Sequence, residues 1–149
     1  MSNQAILIAC DHRGVALKTK LGAWLKEHGY AVQDLGTDSD ARCDASDFAV
    51  KMAAAFKADP DQFGVLICGT GQAMAMTANR YRNIRAALCT TPEVARLARE
   101  HNDANVLALG ADVVDEKTAL RCLEVFLKTA HLGGRYAERR DKLTELGGL

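Results

Sequence analysis

Neither sign of charge dominates this chain: 19 lysines and arginines stand against 19 aspartates and glutamates, for a formal net charge of zero. The densest basic cluster, Arg135 to Lys142, is broken by Glu138 and Asp141. Nucleic-acid binding draws its affinity from phosphate neutralisation and leaves a basic footprint, so no nucleic-acid partner is expected. No apolar run is long enough to cross a bilayer, and the opening Met-Ser-Asn-Gln lacks the layout of a leader peptide. No membrane association is expected, and a cytoplasmic location is. There is no C-x-x-C pair. Cys10, Cys43, Cys68, Cys89 and Cys122 are scattered and odd in number, which argues against a disulfide framework or a structural zinc site and fits a reducing compartment. The phosphate-binding pattern G-x-x-x-x-G-K-[ST] is missing. The first strand–helix turn holds only Gly14, so the dinucleotide fingerprint is missing too. A nucleotide-binding domain is thereby disfavoured. No repeat, low-complexity tract or linker interrupts the chain.

What is present is a regular alternation of apolar runs and amphipathic stretches. At 149 residues with 48% hydrophobic side chains, the chain suits one domain, residues 1–149, around one sizeable core. Ala5–Ala9 reads as a buried strand. Leu17, Leu21, Trp24 and Leu25 then recur at helical spacing up to Gly29. Ala31–Leu35 is a short second strand, and Ala49, Met52, Ala53 and Phe56 mark a second helix. Val65–Cys68 is apolar throughout, as a strand covered on both faces should be. A helix starts near Gly71 and runs towards Tyr81. Arg85–Leu88 is a fourth strand, and Thr91-Pro92-Glu93 is a helix start with a capping hydroxyl and proline at the first turn. Asn105–Leu109 is a fifth strand. A helix from about Asp115 to Thr129 follows, then a charged terminal helix from about Arg135 to Leu146 that is too polar for the core and is expected to lie across a neighbour. Five strand–helix units in series imply an α/β fold with a parallel sheet covered by helices on both faces. In such sheets, ligands bind beyond the carboxyl ends of the strands.

The residues at the strand ends carry the chemistry. The first strand ends in Cys10-Asp11-His12-Arg13-Gly14 and the third in Cys68-Gly69-Thr70-Gly71, while His101-Asn102-Asp103 precedes the fifth. These polar groups are expected to gather at one edge of the sheet. Cys68 sits between a buried strand and a glycine-rich turn into a helix. N–H groups of Gly71, Gln72 and Ala73 pointing out of such a turn would favour a thiolate and could hold an enediolate oxygen beside it; the alternative is a buried, inert cysteine. His101 and His12 could move protons near neutral pH, or could simply close helix and strand ends. Cys122 reads as helix packing, Cys89 as a strand end and Cys43 as a loop thiol; His28 and His131 read as exposed helix-end residues. Arg135 and Arg139 share a helix face and could clamp a phosphate or form a solvated pair. No spacing joins Cys10, His12 and His101 into a metal site.

Taken together, Asp11-His12 with Gly14, Cys68-Gly69-Thr70-Gly71, Ala78-Asn79-Arg80, Ile84-Arg85-Ala86, the run from His101 to Leu107, and Gly134-Arg135 with Arg139 resemble the ribose-5-phosphate isomerase B family, which includes the galactose-6-phosphate isomerase subunits. The resemblance covers nearly the whole chain in order. It implies a Rossmann-like three-layer α/β/α domain with a five-stranded parallel sheet and a C-terminal helix, acting on a phosphosugar as an aldose–ketose isomerase. It also implies a homodimer or homotetramer with active sites at the dimer interface. In this reading Cys68 moves a proton between C1 and C2 through an enediolate, and His101 assists ring opening with Thr70 or Asp11 nearby. The turn of Gly69, Thr70, Gly71, Gln72 and Ala73 holds the oxyanion. Asp11 and Asn102 bind sugar hydroxyls, and His12, Arg135 and Arg139 lie at the phosphate. No metal or other cofactor is implied. Some relatives place a glutamate where this chain has Met74, which cannot accept a proton.

The chain departs from the family pattern at several places. The turn ends in Ala73 rather than glycine. Asp44-Ala45-Ser46 replaces an aspartate followed by tyrosine and proline. Asp112 stands where the family commonly carries a phosphate-binding arginine, and Tyr136 where a histidine often follows the late Gly-Arg. The proton-transfer pair is kept while the rim has changed, which points to an altered sugar preference. A non-catalytic phosphosugar-binding or regulatory homologue is the competing expectation.

Overall fold

The computed structural model describes residues 4–149; the N-terminal reading made above falls mostly on residues outside that range. Five strands alternate with helices along the chain. They are β1 (Ile6–Cys10), α1 (Val15–Glu27), β2 (Val32–Asp34), α2 (Ala45–Ala55), β3 (Gly64–Cys68), α3 (Gln72–Ala78), β4 (Ala86–Leu88), α4 (Pro92–Asn102), β5 (Val106–Gly110), α5 (Glu116–Lys128) and α6 (Arg135–Leu146). All strands are parallel, in the order β2-β1-β3-β5-β4. The expected α/β/α sandwich is the observed one. Among the described residues no helix is long and apolar enough to cross a membrane.

Every residue of β1, β3 and β5 is buried, because these three strands fill the middle of the sheet and meet helices on both faces. Alternation along each strand then assigns side chains to faces. Ile6, Ile8, Val65, Ile67, Leu107 and Leu109 pack with α1 (Leu21, Leu25), α4 (Ala95) and α5 (Leu123, Phe126). Leu7, Ala9, Leu66, Cys68 and Val106 pack with α2 (Ala49, Met52) and α3 (Met74, Ala78). The edge strands β2 and β4 are three residues each and only partly covered. Local chemistry sets the helix starts. The Asp44 carboxylate accepts the Ser46 N–H at 3.0 Å and opens α2 four residues before the first apolar position that marked it in sequence. Thr91 accepts the Val94 N–H at 3.2 Å and, with Pro92, opens α4. Helix α3 is shorter than its sequence pattern suggests, ending at Ala78. Helix α6 buries none of its residues and lies against α4, where Arg140 Nη1 donates to Asp103 Oδ2 at 2.9 Å.

The order of strands sets where a ligand can enter. From β1 the chain crosses to β2 on one side; from β3 it crosses past β5 to β4 on the other. Adjacent strands β1 and β3 therefore flank the switch point, where the two loops diverge and leave a crevice.

Candidate active site

Asp11 and His12 follow β1, and the Gly69–Ala73 turn follows β3, at that edge of the sheet. Cys68, the last residue of β3, is 4% exposed. Gly71 adopts φ +81° and ψ −9°, a left-handed turn that folds its N–H back to donate to Cys68 Sγ at 3.1 Å. A Cβ on Gly71 would stand 2.5 Å from Leu88 Cδ1 and 3.0 Å from the Leu109 carbonyl carbon, so no other residue fits this turn without displacement. Thr70 is exposed, and its hydroxyl accepts the Gln72 N–H at 3.4 Å. Gln72 and Ala73 are also exposed at the mouth, whereas Met74 is fully buried.

The β1 side is built as tightly. Asp11 is 6% exposed; its N–H donates to the Ile67 carbonyl at 3.1 Å, and its carboxylate accepts the Arg13 N–H at 2.9 Å. His12 Nδ1 accepts the Cys43 N–H at 3.3 Å. That contact assigns the proton of a neutral ring to Nε2, leaving a donor free for a ligand. Cys43 is the free loop thiol expected, and its backbone N–H also orients His12. The other cysteines are spectators. Burial pushes Cys10 and Cys89 up to about 12 and also raises Cys122, so all three are thiols at neutral pH.

One expectation needs correction. His101-Asn102-Asp103 does not lie at the edge that holds Cys68. Residue pairing sets Cys68 beside Gly110 at the end of β5, and Gly64 beside Val106 at its start. His101 precedes that start, so about 13 Å of strand, four steps of roughly 3.3 Å, separates the two edges. Residues that follow a parallel strand and residues that precede one occupy opposite ends of the sheet. For the same reason Cys10, His12 and His101 do not come together.

The far edge has its own organisation. His101 stacks on Tyr136 with ring centroids 4.5 Å apart and planes 6° from parallel. The guanidinium groups of Arg135 and Arg139 both lie over the Tyr136 ring, at 5.1 and 5.6 Å. Four candidate residues, His101, Asn102, Arg135 and Arg139, thus share one end of α4 and the start of α6. Asp103 anchors this cluster in a left-handed conformation at φ 49°. Its carboxylate takes Arg99 Nη1 at 2.8 Å and Arg140 Nη1 at 2.9 Å, with Arg85 Nη2 at 3.6 Å. Burial works to raise the Asp103 carboxyl, but these arginines outweigh it and hold it below the usual carboxylate range. His131 is not the exposed residue its sequence position suggests: its Nε2 is buried with no hydrogen-bond partner among the described residues, and burial lowers its affinity for a proton. His28, as expected, is exposed and stacks on Trp24 at 4.0 Å. No group of three or more histidine, cysteine or acidic side chains that could hold a metal ion occurs among the described residues.

A profile described as Ribose/Galactose Isomerase matches residues 6–143. The chain belongs to this family. Ribose-5-phosphate isomerase B of Escherichia coli is 39% identical over 141 residues, covering 95% of each chain. The structure of ribose-5-phosphate isomerase B from Clostridium thermocellum superimposes with a TM-score of 0.91 at 43% identity, covering 96% of this chain and 97% of that one. That of Mycoplasma genitalium, determined with bound ribulose-5-phosphate, gives a TM-score of 0.93 at 38% identity over 97% of both. The family membership agrees with the resemblance read from the sequence motifs, and the matched residues run from the start of β1 into α6.

Proposed function

We propose that the chain interconverts an aldose phosphate and a ketose phosphate of the ribose 5-phosphate/ribulose 5-phosphate type, with the whole of residues 1–149 acting as one cytoplasmic domain. The observation that carries this reading is the Cys68 sulfur, which accepts a backbone N–H at the carboxyl end of β3 beside the strand-order switch. The relative that binds ribulose-5-phosphate and the family's isomerases support the substrate class.

The step is a proton shuttle. Cys68 as thiolate removes the hydrogen from C2 of the open aldose; the C–H electron pair forms the C1=C2 bond of an enediolate, and the sulfur carries the proton. Returning that proton to C1, while the hydroxyl proton on O2 passes to O1 so that C2 becomes the carbonyl, gives the ketose. Backbone N–H groups of the Gly69–Ala73 turn stabilise the oxygen charge that develops in between. Thr70 and Asp11 hold the reacting end, and His12 offers its Nε2 proton to the phosphate. His101 opens the sugar ring, Asn102 binds a hydroxyl, and Arg135 with Arg139 clamp the phosphate.

These roles fall on opposite edges of one chain, so a working site takes Cys68 and its neighbours from one copy and His101 with α6 from a second copy. In a two-fold dimer each interface then builds two such sites. The test is complementation. Cys68→Ala and His101→Ala are each expected to lose at least about a hundredfold in rate. Mixed in equal amounts and allowed to exchange, they should regain about a quarter of wild-type activity, since half the dimers then carry one intact site of two. Wild-type protein without solvent deuterium uptake at C1 or C2 of any three- to six-carbon sugar phosphate would sink the isomerase reading. Activity in Cys68→Ala equal to wild type would remove the proposed base. Mixtures no more active than their parents would reject the shared site.

A further inference from the structure

Arg13 has no assigned part in this scheme, yet it overhangs the base. Its Nη1 donates to Asp112 Oδ2 at 2.7 Å, joining residues 99 apart in sequence. The pair closes over Gly69, the residue after Cys68. A Cβ built on Gly69 would stand 2.9 Å from Arg13 Cδ, 3.7 Å from its Nε and 3.0 Å from Asp112 Oδ2. Glycine at 69 thus gives the side chains room to lie across the turn. Both ends are fixed in the backbone: the Arg13 N–H donates to Asp11, and the Asp112 N–H donates to the Gly69 carbonyl at 2.9 Å.

The side chains themselves are loosely held. They are 59% and 51% exposed, and exposed ion pairs of this kind contribute little to stability. Among the described residues the guanidinium makes this one hydrogen bond, so most of its five donors stay free. A dianionic phosphate presents more charge and more acceptor oxygens than one carboxylate, and a guanidinium fork matches two of those oxygens at once.

We propose that Arg13 is a phosphate-binding, specificity-determining residue contributed by the same copy that supplies Cys68, and that Asp112 competes with the phosphate for it. In the free protein Asp112 parks the guanidinium over Gly69. In the complex Arg13 turns to the phosphate, and Asp112 is left facing water. Asp112 then weakens phosphate binding twice over, by competing for Arg13 and by repelling the dianion. The pair therefore sets how strongly the site depends on a phosphate group in its ligand. This inference deepens the isomerase reading and rests on it for the sugar, but the phosphate contact can be measured without turnover.

The test uses Arg13→Ala, Arg13→Lys and Asp112→Asn in the full chain, with inorganic phosphate as the probe in calorimetric titration and sugar-phosphate kinetics as the second readout. Arg13→Ala is expected to weaken phosphate about tenfold or more, the usual worth of a charge-assisted fork. KM should rise by a similar factor, while kcat changes less. Arg13→Lys should recover only part of the loss, because an ammonium cannot bind two oxygens in the same plane. Asp112→Asn should tighten phosphate and lower KM several-fold. Phosphate affinity unchanged in Arg13→Ala, or weakened in Asp112→Asn, would overturn the proposal. Absence of sugar-phosphate turnover in the wild type would count against the isomerase reading, and the phosphate titrations would still decide the role of Arg13.

Discussion

Replacing Gly71 with alanine tests the site and the fold in one molecule. Alanine in the left-handed region costs about 1–2 kcal/mol. At this position the new Cβ also meets Leu88 Cδ1 at 2.5 Å and the Leu109 backbone at 3.0 Å. The leucine side chain can turn away but the β5 backbone cannot, so about 1–3 kcal/mol of overpacking is added. The sum, about 2–5 kcal/mol, translates into a fall in Tm of roughly 5–20 °C for a chain of this size. Gly133 supplies the control. It has a similar φ of +72°, yet nothing lies within 4 Å of a Cβ built there. Gly133→Ala should therefore carry the conformational cost alone. Unfolding followed by circular dichroism gives both values, and deuterium uptake by the sugar phosphate gives activity. In Gly71→Ala the turn must shift, carrying its N–H away from Cys68 Sγ, so activity should fall even well below the melting range. If Gly71→Ala melts no lower than Gly133→Ala and keeps its exchange rate, the turn does not hold the sulfur as argued.

Other expectations follow from the charged groups. The Lys18 side chain is 2% exposed and donates to Asp34 and Asp38, which are 48% and 87% exposed. Burial lowers its proton affinity, but the two carboxylates more than compensate and raise it above the ordinary lysine value. Its contribution is thus complete below pH 10.5 and is lost as pH rises through the folded value; Lys18→Met should flatten alkaline unfolding. Asp34→Ala leaves a buried ammonium with one partner and should cost more than Lys18→Met, up to about 3 kcal/mol, in urea titrations. Asp103 works in the opposite direction. Its carboxyl is held low in the fold, so its stabilisation is present above pH 3.8 and fades as pH falls below that. Asp103→Asn should be less stable at pH 7 and lose less on acidification, as read by Tm against pH. Finally, brief iodoacetamide treatment at pH 7 followed by mass spectrometry should label half-exposed Cys43 while sparing Cys10, Cys89 and Cys122, whose burial keeps them protonated. Labelling of Cys10 at the rate of Cys43 would contradict that burial.

Much of the architecture is legible in the residues because the physics there is local. The uniform apolarity of Val65–Cys68 marks a central strand, and Thr91-Pro92-Glu93 carries its own helix start. The turn at Gly71 could be read for the same reason, since only glycine reaches its φ comfortably. The Arg13–Asp112 pair could not be read, because its partners are 99 residues apart and meet only when β1 and β5 take their places on either side of β3. The stacking of His101 on Tyr136 is hidden likewise until α6 folds against α4. The placement of His101 is a different kind of miss. Its signal was present: a residue just before a parallel strand lies at the end opposite to one just after. Judging both simply as strand-end residues discards that polarity.

The polarity also explains why the two edges are held by different forces. The Cys68 edge hangs on the ends of β1 and β3, whose side chains are sealed between helices. It should keep its shape wherever the core survives. The His101 edge rests on α6, which buries no residue, and on one carboxylate shared by Arg99, Arg140 and Arg85. Removing the negative charge of Asp103 leaves three guanidinium groups facing one another and releases Arg140, which ties α6 to the α4 terminus. Acid should therefore loosen the histidine edge before it melts the cysteine edge. Amide hydrogen exchange resolved along the chain would then show protection lost first across 135–146 and later, with global unfolding, across 64–68.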